Sequence, residues 1–174
     1  MSRKYNRIVV LIVLCSAIMG LGIYAGVSSK IPEKVQLLSP GNTLELLRQY
    51  EDDAIVIGEG SEPIYVFIDP LCEVSQMYVQ FLYKQKRMLA KYRYYLFLYH
   101  LDGKPSELLI PTILESDYAE LMLKQVMISK SRFDEVEEAD VDVEEQMERI
   151  ASLAEQIGVY KRPYIIIDGK VRTE

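Results

Sequence analysis

The chain has 174 residues, a formal charge of −6, two cysteines, one histidine and no tryptophan. That length supports one domain with a sizeable core, and a composition of 49% hydrophobic and 26% charged residues excludes wholesale disorder. One histidine excludes a two-histidine zinc site or relay, two cysteines exclude a four-cysteine metal site or a disulfide scaffold, and the acidic balance argues against nucleic acid as a partner.

Residues 8–27 read IVVLIVLCSAIMGLGIYAGV, an apolar run of 20 residues with no charge. A helix of that length spans a hydrocarbon core of about 30 Å. Arg3, Lys4 and Arg7 precede it, so the positive-inside rule keeps residues 1–7 in the cytoplasm and exports the rest. A cleaved signal peptide is the competing reading. Its apolar region would run about 7–15 residues and end in a small-x-small site. Tyr24-Ala25-Gly26 fits that poorly, so the segment reads as a retained single-span anchor. Gly22 and Gly26 have the spacing of a helix-dimerisation pair, a weak signal, and the oligomeric state stays open. Cys15 lies inside the run and reads as packing. Residues 28–174 carry a charge of −9.

Residues 28–53 read as a tether and a short helix, Leu44–Tyr50, capped by Thr43. The domain proper is expected over 54–174. Ala54–Ile57 and Ile64–Ile68 are short apolar runs joined by Gly58-Glu-Gly-Ser-Glu-Pro63, which suggests a hairpin. IYVFI at 64–68 has the continuous β-branched and aromatic character of a buried central strand. Gly58-x-Gly60 lacks the third glycine and the following helix of a dinucleotide loop.

Asp69-Pro70-Leu71 stops that strand, and a helix is expected from near Cys72. Val74, Met77, Tyr78, Phe81 and Leu82 form its apolar stripe. Lys84, Lys86, Arg87, Lys91 and Arg93, interleaved with tyrosines, read as an exposed helix end, with a docking patch as the minor alternative. Residues 93–101 (RYYLFLYHL) form another strand, and His100 at its end reads as structural. A helical insertion is expected over about 105–157, with a break at Pro111 and a second helix over Val143–Ile157 that stops at Gly158. Acidic residues from Asp134 to Glu148 lack a calcium-loop pattern and read as a solvated loop and acidic helix start. YIII at 164–167 is a buried strand, and Asp168-Gly169 signals a tight hairpin into Lys170–Arg172.

Cys72 falls where a central strand gives way to a helix start, a place that stabilises an anion and favours the nucleophilic thiolate. Ser75 lies one turn on, so its hydroxyl is expected near the sulfur, where it can donate a hydrogen bond but cannot close a disulfide. Arg162-Pro163 stands directly before the last buried strand, where a residue without an N–H is tolerated.

Strand–Asp-Pro–Cys-x-x-Ser–helix, followed by Arg-Pro-Tyr-Ile-Ile-Ile-Asp-Gly, resembles the thioredoxin fold, an α/β three-layer sandwich with a mixed sheet. It is most similar to the exported bacterial thiol:disulfide interchange proteins of the DsbC/DsbG-like group. The resemblance covers about 54–171 and is strongest at 64–82 and 159–170. It implies that Cys72 is the nucleophile, that Ser75 replaces the resolving cysteine, that Pro163 is the cis-proline holding substrate backbone, and that Arg162 tunes substrate contact. The expected partners are protein thiols or disulfides and a small thiol such as glutathione, with no metal, nucleotide or flavin. The implied location is a bacterial inner membrane with the domain in the periplasm. Loss of the second cysteine removes the usual redox cycle, and the family's C-terminal helix is missing or replaced. The alternative is a non-catalytic thioredoxin-fold binding or assembly module of a cell-envelope complex, its helix 8–27 the contact element in one version.

Overall fold

The computed structural model describes residues 37–100, 106–131 and 139–172. The expected membrane span at 8–27 lies outside these, and among the described residues no helix is long and apolar enough to cross a membrane. The elements in chain order are α1 (Pro40–Arg48), a 3-10 turn (Glu51–Asp53), β1 (Ile55–Ile57), β2 (Glu62–Ile68), α2 (Glu73–Lys84), α3 (Lys86–Lys91), β3 (Tyr92–Leu98), α4 (Ser106–Leu114), α5 (Ala119–Met127), α6 (Val141–Ile157), β4 (Tyr164–Ile167) and β5 (Lys170–Arg172).

The strands form one mixed sheet in the order β1-β3-β2-β4-β5. β2 is central as expected, parallel to β3 and antiparallel to β4. Its last five residues are all buried because both faces are covered. Side-chain alternation splits the interior into two layers. Ile64, Val66, Ile68, Tyr94, Leu96 and Leu98 face α2, α4 and α5 through Val79, Leu82, Ile110, Ile113 and Leu123. Tyr65, Phe67, Tyr95, Phe97, Tyr164 and Ile166 face α1 and α6 through Leu47, Ile150, Leu153, Ala154 and Ile157. On this second face the parallel neighbours stack, Tyr65 on Tyr95 at 5.2 Å and Phe67 on Phe97 at 5.0 Å between ring centroids.

Four expectations are corrected. β1 and β2 do not pair: β1 pairs antiparallel with β3, which lies between them. The connection crosses the start of β3, with Glu59 N–H donating to Leu89 O at 2.8 Å and Gly60 N–H to Tyr92 O at 3.3 Å. Gly58 has φ 85°, and a Cβ on Gly60 would overlap the Lys91 carbonyl, so these glycines allow the crossing rather than a hairpin turn. The first helix is Pro40–Arg48 instead of Leu44–Tyr50, and Ser39 caps it by accepting Asn42 N–H. Thr43 lies inside this helix and donates its hydroxyl to Ser39 O. The break in the insertion is not at Pro111. Residues 115–118 separate α4 from α5, and Glu115 N–H still donates to Pro111 O at 2.9 Å. A proline removes only its own N–H, and the turn after it can still close.

The fourth correction concerns α2. Of the expected stripe, Leu82 is buried and Tyr78 packs against the core, whereas Val74, Met77 and Phe81 are 58%, 68% and 48% exposed and Ser75 and Val79 are buried in their place. The inward face runs through Ser75, Tyr78, Val79 and Leu82, and Val74, Met77 and Phe81 form a second, outward line. The β4–β5 hairpin is as expected: Asp168 and Gly169 have φ 52° and 71°, the pair of left-handed residues a two-residue turn requires. Gly158 ends α6 at φ 82°, also as expected.

Candidate functional site

The carboxyl end of β2, the start of α2, the end of β3 and the loop before β4 converge on Cys72. Asp69 directly follows β2, and its main chain turns at once. Leu71 N–H donates to Asp69 Oδ1 at 2.8 Å, an Asx turn that launches α2 two residues later. Cys72 is the N-cap of α2, its N–H donating to Asp69 O at 3.1 Å and its O accepting from Gln76 N–H at 2.9 Å. It is therefore one residue outside the helix, with the first-turn N–H groups directed past it.

Cys72 as a whole is 9% exposed. Sγ lies 3.9 Å from Arg162 O, to which the S–H donates. The two residues are ninety positions apart in sequence, and the sheet order brings them together. The Arg162–Pro163 bond is cis. Cys72 and the proline loop thus face each other across the end of the sheet.

Ser75 is fully buried, and its Oγ accepts Asp69 N–H at 3.3 Å. The described hydrogen bonds of Ser75 do not include one to Sγ. The hydroxyl therefore fastens the turn ahead of the cysteine. Cys72, as the N-cap, lies off the helical path (φ −78°, ψ 119°).

The side chain of Arg162 turns inward. It is 7% exposed and stacks over the Tyr99 ring at 3.9 Å. Nε donates to Tyr99 O at 3.0 Å, Nη2 to His100 O at 3.1 Å and Nη1 to Lys161 O at 3.0 Å. Its side-chain bonds go to the chain itself, and what it offers the thiol is its carbonyl. Burial lowers its affinity for a proton; Tyr99, Asp69 and Cys72 oppose that shift electrostatically.

The sequence marks Asp69 as a strand stop and Ser106 as the opening of a helix, and neither as a site residue. Asp69 is fully buried, and its Oδ2 accepts the Ser106 hydroxyl at 3.1 Å from the start of α4. The Asp-Pro pair was a legible signal for the Asx turn. Ser106, 37 residues away, reads as a helix start, and nothing local ties it to Asp69. His100 takes part through its carbonyl. Among the described residues no three His, Cys, Asp or Glu side chains are grouped as metal ligands.

No protein-family model matches this chain, and no curated protein matches it in sequence. Solved structures do match. Proteus mirabilis ScsC in a transitional conformation aligns with a TM-score of 0.65 at 15% identity, covering 99% of this chain and 90% of that one. The thiol-disulfide exchange protein α-DsbA2 of Wolbachia pipientis aligns with a TM-score of 0.52 at 17% identity over 76% of this chain and 88% of that one. A periplasmic thioredoxin-like protein of Salmonella enterica aligns at 0.54 with 15% identity, over 75% and 86%. The fold is thioredoxin-like.

Proposed function

We propose that this chain is a membrane-anchored, exported thiol–disulfide exchange protein of the DsbC/DsbG-like kind. In this reading it works through one cysteine in the periplasm of a bacterium. The observation that carries the reading is the convergence of Cys72, at the start of α2, with the carbonyl of Arg162 at a cis-proline. The fold shared with a protein whose name states thiol-disulfide exchange supports it.

The chemistry needs the thiolate. Cys72 loses its proton to solvent, Sγ attacks one sulfur of a substrate disulfide, a new S–S bond forms, and the other substrate sulfur leaves as thiolate. Ser75 cannot displace the substrate, so a second thiol, from the substrate or from a small thiol such as glutathione, must attack the mixed disulfide. That thiol takes the substrate sulfur into a new disulfide and releases Cys72. The net result is isomerisation when the thiol belongs to the substrate and reduction when it is external. Pro163 and the Arg162 main chain hold substrate backbone beside the sulfur. Leu71, Val74, Met77 and Phe81, all exposed, give it an apolar surface running away from Cys72 along α2.

The binding-module alternative draws on the same exposed face of α2 and on the burial of Cys72. Trapping decides between them. Cells expressing the full chain are quenched with acid and alkylated, and adducts are resolved without reductant. Exchange predicts reductant-sensitive adducts that vanish in Cys72→Ala and persist in Cys15→Ser. Adducts unchanged in Cys72→Ala, or none at all, contradict it.

A further inference from the structure

We propose that a second copy of this chain docks on the outward line of α2, helix against helix, antiparallel and about a two-fold axis. Pairing goes beyond the exchange reading and rests on it only for what displaces the second copy.

Among the described residues nothing covers this face of α2. Val74, Met77 and Phe81 are 58%, 68% and 48% exposed, and Leu71, just ahead of the helix, is 37% exposed. Other exposed large apolar side chains are scattered over separate elements, such as Val56 on β1, Leu108 on α4 and Val141 on α6. Scattered residues of that kind are ordinary, whereas a continuous row on one helix marks an interaction face. The two ends of the row carry opposite charge. Glu73 opens α2 and Lys84 closes it, and both are exposed. At ~100° per residue, Glu73, Val74, Met77, Phe81 and Lys84 all fall within about 100° of the helix circumference. Lys86 and Arg87, exposed on α3, extend the positive end. Among the described residues no ion pair engages Glu73, Lys84, Lys86 or Arg87.

This order of charges selects the occupant. Laid antiparallel on itself, α2 sets Glu73 of each copy beside Lys84 of the other and Val74 beside Phe81. Both pairs are centred near Tyr78, which leaves Met77 close to the axis. A two-fold contact requires such a self-complementary patch, and opposed helix dipoles favour the same direction. Parallel pairing would set Glu73 on Glu73 and Lys84 on Lys84. A partner with only an apolar face would leave both charged ends unmatched. With 12 residues, α2 is about 18 Å long. A helix pair of that length is small beside the ~1,600 Å² of a standard stable interface, so the contact is reversible and a substrate on the same face displaces it.

The test uses the full chain in cell membranes with Cys15→Ser and Cys72→Ala, so that every crosslink runs through an introduced cysteine. A mild oxidant joins cysteines that meet. Met77→Cys should give a disulfide-linked dimer, and Ser152→Cys, exposed on α6 across the sheet from α2, should not. Glu73→Cys and Lys84→Cys chains, coexpressed with different epitope tags, should give the mixed dimer in excess over either homodimer. Glu73→Lys added to Met77→Cys should lower the dimer yield about threefold, and Lys84→Glu added to both should restore it. Four results each overturn the pairing: no dimer from Met77→Cys, equal dimer from Ser152→Cys, homodimers as abundant as the mixed dimer, or a yield that the charge swap fails to restore. Because these chains lack Cys72, the outcome is independent of the trapping experiment. Dimers together with failed trapping leave pairing standing and refute exchange, and the reverse pattern does the opposite.

Discussion

Truncating Leu47 tests whether α1 is part of the folded body or a segment of the tether. Leu47 is fully buried and packs in the layer formed by Tyr65, Phe67, Ile150 and Ile157. Leu47→Ala removes three carbons, about 2.4 kcal/mol of transfer free energy at ~0.8 kcal/mol per methylene. The cavity against the α6 side chains adds to this, giving a loss of about 3 kcal/mol. With a urea dependence of about 2 kcal/mol/M, the unfolding midpoint should fall by about 1.5 M. Equilibrium urea unfolding followed by circular dichroism measures it, with Gln49→Ala, at an exposed site, as control. A shift no larger than that control would refute the assignment of α1 to the core.

Other predictions concern the sheet and its turns. Among the described residues the buried Tyr94 hydroxyl has no hydrogen-bond partner, so Tyr94→Phe should leave stability unchanged or raise it by about 1 kcal/mol in thermal unfolding; a loss of more than about 1 kcal/mol would show that the hydroxyl is satisfied. Gly169→Ala should cost at least ~1 kcal/mol, because residue 169 has φ 71° and a Cβ there would overlap the Pro40 carbonyl; wild-type stability would contradict the turn. Burial pushes Tyr94 and Tyr164 up to about 12. Their protonated forms are retained by the fold, so this stabilisation is complete below the unfolded value of about 10 and is lost as pH rises from there toward 12. Tyrosinate absorbance should show some tyrosines resisting ionisation until the chain unfolds, and uniform titration near 10 in the folded protein would contradict that.

Strong local patterns were legible. The five-residue run Ile64–Ile68 announced a central strand, Asp168-Gly169 a tight turn, and Gly158 a helix stop. Placement that depends on distant partners was not. The chain at Gly58-Glu59-Gly60 looks like a hairpin turn until α3 and the start of β3, thirty residues on, supply the acceptors Leu89 O and Tyr92 O that pull it across. On α2 the periodicity fits two lines, and only the docking of Ser75 under Asp69 selects the one with Val79 and Leu82. The pairing of Cys72 with the loop at Arg162 was anticipated from resemblance. The inward turn of the Arg162 side chain could not be, because its acceptors are main-chain carbonyls, which any sequence provides. Asp69 was hidden for a related reason: one of its donors, Ser106, comes from the helix after β3.

The central claim is that the sulfur of Cys72 exchanges with disulfides while the domain is folded. Intact-mass analysis of the reduced full chain with Cys15→Ser, incubated with glutathione disulfide in the absence of denaturant, tests it most directly. The account predicts one glutathionyl group on Cys72, formed faster as pH rises and removed by added thiol. A folded chain that stays unmodified, and acquires the adduct only on unfolding, would contradict it.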